Sequence, residues 1–347
     1  MAGHSQPVEA QTRSLGAIAQ ARGFHYGCAI STDGIEDESF AEIVKRECTI
    51  VVAENAMKWR AIRPTPDTFD FTEADLFANF AETNGLVMRG HTLVWYRSLP
   101  DWFETFVDKT NAEQLLRDHI KEVVGRYAGR IHSWDVVNEA TDPGGGRSDG
   151  LRESIFLDLI GEDYIKIAFE AAAEADPDTM LTYNDFWLPY NWSDEIARKK
   201  LIPQLLESHL SRGVPIHAFG LQGHLWAGRN DFDARGMRNL LREVADLGLQ
   251  VMVTELDVRD QKLPSPDRVR DVFVADTYKR FLEIALEEDA TIAVTTWGLS
   301  DRYTWLERSF PRNDGLPVRV LPYDRFLRPK PIVWNAFGEA FSSAPLR

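Results

Sequence analysis

The chain has 347 residues, 44% of them hydrophobic and 27% charged, an ordinary globular composition that can bury one large core or two small ones. Its 39 basic and 54 acidic residues leave a formal charge of −15, which argues against nucleic acid and anionic membrane surfaces as partners and makes a neutral ligand the easier one. No apolar run approaches the roughly 18 residues of a membrane-spanning helix, and the start MAGHSQPVEAQTRS lacks the pattern of an export signal. The compartment stays open: secreted or periplasmic if a signal was removed, cytoplasmic otherwise. Residues 1–15 are expected to form a poorly ordered N-terminal segment, followed by one domain over 16–347. Cys28 and Cys48 are too few for a disulfide framework and lack metal-ligand spacing, so they read as buried free thiols.

Short β-branched and apolar runs recur along the chain: FHYGCAI (24–30), TIVVA (49–53), LVMRGHTLV (86–94), IHSWDVV (131–137), TMLTYN (179–184), IHAFGLQ (216–222), QVMVTEL (250–256) and TIAVTTW (291–297). Between them lie helical patterns such as 112–128, 162–175 and 268–288, with apolar residues at three- and four-residue steps. Strands buried on both faces behind helices form a parallel sheet, and eight such units in one chain suit a closed (β/α)₈ TIM barrel. An open doubly wound sheet is the alternative, but no GxGxxG turn follows the first strand and no Gly/Ser/Pro linker separates two halves.

In such a barrel the active site sits where strands end. Strand two closes with Glu54, Asn55 and Lys58, strand three with His91 and Trp95, and strand four with Asn138 and Glu139. Strand five ends at Asn184, an expected substrate contact, strand six at Gln222 and His224, strand seven at Glu255 and Asp257, and strand eight at Trp297. Each residue alone fits a structural role, but buried together in one mouth these groups need a ligand to satisfy them. Two carboxylates on facing strands are what glycosidic hydrolysis requires: one protonates the leaving oxygen while the other stabilises or attacks the anomeric carbon. Glu139 and Glu255 meet that demand. Asn138 offers an amide to a sugar 2-hydroxyl, and His224 with Asp257 can hydrogen-bond the nucleophile and keep it ionised. A zinc site from His91, His224 and a carboxylate is the rival, without an HExxH or a close His pair in its favour. Trp95, Trp297 and Trp305 near strand ends become platforms for pyranose rings, while Glu54, Asn55, Lys58, His91 and Gln222 can grip hydroxyls.

With AENAMKW (53–59), GHTLVW (90–95), WDVVNEA (134–140), YND (183–185), GLQGHL (220–225), TELDV (254–258) and WGLSDRYTW (297–305) in this order, the chain resembles glycoside hydrolase family 10 xylanases over nearly its whole length. The resemblance implies a (β/α)₈ barrel, endo cleavage of β-1,4-xylan or xylo-oligosaccharides with retention, and no metal or other cofactor. It puts Glu139 at the acid/base position and Glu255 at the nucleophile position. It also implies sugar contacts at Glu54, Asn55, Lys58, His91, Trp95, Asn138, Gln222, His224, Trp297 and Trp305. A monomer is expected.

The departures from the family concern specificity. After Trp95 the family usually has His, Ser and Gln, where this chain has Tyr96, Arg97 and Ser98, so a glycone-side amide is missing. After Asn184-Asp185 the usual Tyr-Asn is Phe186-Trp187, which adds an aromatic, Trp187, expected to stack on an aglycone sugar. The loop TDPGGGRSDG (141–150) is rich in glycine.

Overall fold

The computed structural model describes residues 14–347. It contains nine parallel strands: β1 (His25–Ile30), β2 (Ile50–Ala53), β3 (Val87–Val94), β4 (Ser133–Asn138), β5 (Met180–Asp185), β6 (Ala218–Leu221), β7 (His224–Trp226), β8 (Gln250–Arg259) and β9 (Thr291–Thr296). Eight of them close on themselves in the order β1-β2-β3-β4-β5-β6-β8-β9, with β9 back on β1, which is the expected TIM barrel. Helices between the strands wrap the outside, and a single large apolar core lies between the two layers.

The strand beyond the eight apolar runs of the sequence is β7. It exists because β8 is ten residues long and outruns the barrel, offering its outer end as an edge on which β7 pairs, His224 against Asp257 and Trp226 against Arg259.

The expected N-terminal boundary needs a correction. Residues 1–13 lie outside the described residues, but Ser14 caps the helix Leu15–Gln20 by accepting from the Ala17 backbone N–H, and Leu15 is wholly buried. Leu15 therefore belongs to the barrel.

Where the strands meet the mouth, the plain alternation of inward and outward side chains breaks down. The pairing register shifts once in β4 against β5, between Asp135 and Val137, and again in β8 against β9, between Val253 and Leu256. A bulge of this kind inserts one residue and reverses the facing of all that follow. Asp135 and Asn138 can thus both point into the barrel, as can Thr254 and Glu255, although strict alternation would oppose them. All four make buried hydrogen bonds there.

Candidate active site

The carboxyl ends of β2 to β9 gather the polar residues expected from the sequence. Glu139 and Glu255 are joined by a relay of neutral amides. Gln222 Nε2 donates to Glu139 Oε1 at 3.0 Å and approaches Asn138 Oδ1 at 3.4 Å. The same Asn138 Oδ1 accepts from Asn184 Nδ2 at 2.7 Å, and that nitrogen donates to Glu255 Oε1 at 2.8 Å. Thr254 Oγ1 donates to Asn184 Oδ1 at 2.7 Å, which fixes the orientation of the amide.

Glu255 also accepts from His224 Nε2 at 3.2 Å, and His224 Nδ1 donates to Asp257 Oδ1 at 2.9 Å. The second Asp257 oxygen accepts from Trp305 Nε1 at 2.7 Å. Burial pulls the imidazole pKa down, but the charge and hydrogen bond of Asp257, then those of Glu255, raise it to about 10, so His224 is a cation. For Glu255, burial pushes the pKa up. The His224 hydrogen bond and the nearby His91, His224 and Lys58 outweigh it and hold the carboxyl at about 2. Glu139 differs: among the described residues its carboxylate accepts from the neutral amides of Gln222 and Asn138.

A second group flanks this pair. Lys58 Nζ donates to Asn55 Oδ1 at 3.0 Å and lies 4.9 Å from the Trp95 ring centroid and 5.8 Å from that of Trp297. Burial lowers the Lys58 pKa against the opposing pull of Glu255, Glu54 and Glu139, while burial raises that of Glu54 despite the charge of Lys58. His91 Nδ1 sits 2.9 Å from Asp135 Oδ2, and Asp135 also binds Arg89 deep in the barrel. His91 packs edge-on to Trp297 at 5.2 Å. The Trp95 Nε1 is buried without a partner among the described residues, a donor left for a ligand.

Two expected substrate contacts need correcting. Asn184 is fully buried and commits both amide hydrogens and its oxygen to Asn138, Glu255 and Thr254, so it positions the relay and has no N–H left for a sugar. Trp187 is 1% exposed, and its Nε1 donates to the Glu195 carbonyl at 2.9 Å because the helix Ser193–Ser211 folds back over it. It fills the core. The neighbouring Phe186 is the half-buried aromatic of that pair.

Sequence reasoning passed over Arg152, Asp135 and Asp185. Arg152 Nε donates to the Glu139 carbonyl at 2.8 Å and Nη2 to the Thr141 carbonyl at 3.0 Å. Its guanidinium lies 4.6 Å from the ring of Tyr96 and 5.7 Å from that of Phe186, so two departures from the family pattern meet across one arginine. Asp185, whose pKa burial raises to about 6, accepts from Thr141 Oγ1 at 2.7 Å and ties the start of the 141–150 loop to β5. Asp135 had a legible signal, an acid inside an apolar strand. Arg152 had none, since it is far from any strand end.

The chain's similarities to known proteins agree with this geometry. The model of glycosyl hydrolase family 10 matches residues 14–338. A β-1,4-xylanase of Dictyoglomus thermophilum is 36% identical over 325 residues, covering 90% of this chain and 87% of that protein. The crystal structure of native xylanase 10B from Thermotoga maritima superposes with a TM-score of 0.83 at 34% identity, covering 94% of this chain and 98% of that one. Xylanase 10B from Thermotoga petrophila RKU-1, solved in complex with xylobiose, gives a TM-score of 0.83 at 34% identity, covering 98% of each chain. A barrel with one of these carboxylates just past the end of β4 and the other within the long β8, matched by the family model over nearly its whole length, belongs to glycosyl hydrolase family 10.

Proposed function

We propose that the protein is an endo-1,4-β-xylanase that cleaves internal bonds of xylan or xylo-oligosaccharides with retention of configuration. The observation that carries this reading is the unequal setting of two carboxylates joined by one relay. Glu255 faces a histidine cation and is held at about 2, so it is ionised and available as the nucleophile. The Glu139 carboxyl bonds neutral amides among the described residues, at the other end of the relay, and takes the role of general acid and then base.

In the first step Glu139 delivers its proton to the glycosidic oxygen while Glu255 attacks the anomeric carbon. The bond to the leaving sugar breaks and a glycosyl ester forms on Glu255. In the second step the Glu139 carboxylate takes a proton from water, which attacks the same carbon and frees Glu255. Asn138, on the relay between the two acids, is positioned to hold a sugar 2-hydroxyl as charge develops. Trp95, Trp297 and Trp305 offer apolar faces, and Glu54, Asn55, Lys58, His91 and Gln222 offer hydrogen bonds to ring hydroxyls. The names of the related enzymes and the xylobiose-bound neighbour support xylose as the sugar.

Activity measured side by side on xylan, carboxymethyl cellulose and mannan tests the substrate class. Xylan should give short xylo-oligosaccharides of mixed length, and turnover of mannan or cellulose without turnover of xylan would overturn the reading.

A further inference from the structure

Above the two acids the paired strands β7 and β8 continue as a ladder of three rungs. The Glu255 backbone N–H donates to the Gln222 carbonyl, His224 pairs with Asp257, and Trp226 pairs with Arg259. Residues two apart on a strand share a face, so Asp257 and Arg259 form one column and His224 and Trp226 the facing one, continuing from the Glu255–Gln222 bond. Each rung rises about 6.6 Å, which puts the third roughly 13 Å beyond the nucleophile's rung, on the rim of the same cleft.

The third rung sets a half-buried indole beside the Arg259 cation, with Lys262 close by. The Arg259 guanidinium lies 4.8 Å from the Trp226 ring, 5.9 Å from that of Trp305 and 3.5 Å from that of Phe310. Lys262 Nζ lies 5.4 Å from Trp226. The platform is rigid: Tyr190 OH accepts from the Trp226 backbone N–H at 2.9 Å and donates to its carbonyl at 3.0 Å. Among the described residues no acceptor meets the Arg259 side chain, and its Nε is buried without a partner. Asp257, two positions back, has one oxygen bonded to His224 and the other to Trp305. An unpaired guanidinium in a chain of net charge −15 is conspicuous, because partners are plentiful elsewhere: Arg229 and Arg312 are each paired with a nearby aspartate.

We propose that Arg259 and Lys262 over Trp226 form a subsite for an acidic sugar substituent, a uronic acid branch carried by a residue of the substrate chain on the side of the third rung. The indole takes the apolar face of a pyranose, and the guanidinium receives the uronate carboxylate in the two-pronged geometry suited to it. This rests on the xylanase reading and adds to it a preference for charged over neutral branches. Stacking alone explains where the guanidinium lies, but it leaves the buried Nε without an acceptor, which a bound carboxylate supplies.

The test uses xylohexaoses bearing one glucuronosyl branch at different positions, the same compounds with the uronate carboxyl reduced to an alcohol, and plain xylohexaose. For the best-cleaved branched isomer the wild-type enzyme should show kcat/KM at least about ten-fold higher with the carboxylate than with its reduced form. In Arg259→Gln that ratio should fall towards one, and in Lys262→Gln it should fall in part. A wild-type ratio near one for every isomer overturns the proposal without any mutant, which covers the case of a variant that fails to fold. An unchanged ratio in a folded Arg259→Gln, or an equal loss on acidic and reduced substrates, overturns it as well by making Arg259 a structural cation. Failure of the wild type to cleave plain xylohexaose would instead sink the xylanase reading, and is distinguishable as such.

Discussion

His224 Nε2 stands 3.2 Å from Glu255 Oε2, on an imidazole whose other nitrogen is held by Asp257. In the proposed mechanism the pair sets the acid side of the reaction. Glu255 must be ionised to attack, and its pKa of about 2 means that it stays so into strong acid. Burial alone would raise that pKa; the histidine cation lowers it. His224→Asn removes the charge, so the Glu255 pKa rises and, on acidification, activity is lost at a higher pH than in the wild type. The acid limb of kcat/KM should move up by about one unit, equivalent to roughly 1.4 kcal/mol of lost preference for the carboxylate. An acid limb that stays in place in a folded variant would contradict this role.

The two acids should fail in different ways. Glu255→Ala should abolish turnover on every substrate, since no glycosyl ester can form. Glu139→Ala should retain the first step on dinitrophenyl xylobioside, whose leaving group needs no proton, and added azide should restart the second step. Equal losses on activated and natural substrates, with azide rescuing neither variant, would reverse or discard these assignments.

Retention has its own geometric and chemical signature. The two carboxyl groups should lie about 5–5.5 Å apart in a substrate complex, too close for a water between them. NMR of the first product formed should then show the β anomer. An initial α anomer would rule out the double displacement.

Trp187 should matter to the fold alone. Its indole is buried beneath the helix Ser193–Ser211 and bonded to the Glu195 carbonyl. Trp187→Ala should cost about 3–5 kcal/mol of stability, read from denaturant unfolding. Where the variant folds, loss of activity should not depend on oligosaccharide length; a selective loss on longer chains would restore a sugar-stacking role.

The barrel and the mouth were legible because strand periodicity and strand-end polarity are local properties of the sequence. Gln222, His224, Glu255 and Asp257 fall at the ends of apolar runs and could be read there. The bulges were not legible. Asn138 and Asp135 are three apart on one strand, and period-two reasoning sets them on opposite faces, yet both bond inside the barrel. Burial of Trp187 was hidden for a different reason, since it depends on where the helix Ser193–Ser211 packs. Asn184 looked like a sugar ligand because its type and place are right. Its hydrogen bonds are already filled by residues 46 and 71 positions away in sequence, a fact of tertiary structure alone.

The last prediction concerns Arg152. Glu139 sits at φ 59°, in the left-handed region that costs a non-glycine residue roughly 1–3 kcal/mol, so something must hold its backbone. Arg152 does so from the far end of the 141–150 loop, bonding the carbonyls of Glu139 and Thr141 and the Asp142 carboxylate, with its guanidinium near both Tyr96 and Phe186. A lysine keeps the charge but loses the planar fork that spans two carbonyls. Arg152→Lys should therefore loosen the aim of Glu139 while leaving Glu255 as it is. Misplacement of a proton donor lowers the rate where protonation is difficult, so kcat on xylohexaose should fall roughly ten- to a hundred-fold. Cleavage of dinitrophenyl xylobioside to the glycosyl-enzyme, read as the burst of dinitrophenol, should change little. If burst rate and xylohexaose turnover drop together, Arg152 supports the whole mouth rather than the acid, and its link to Glu139 is not what the enzyme depends on.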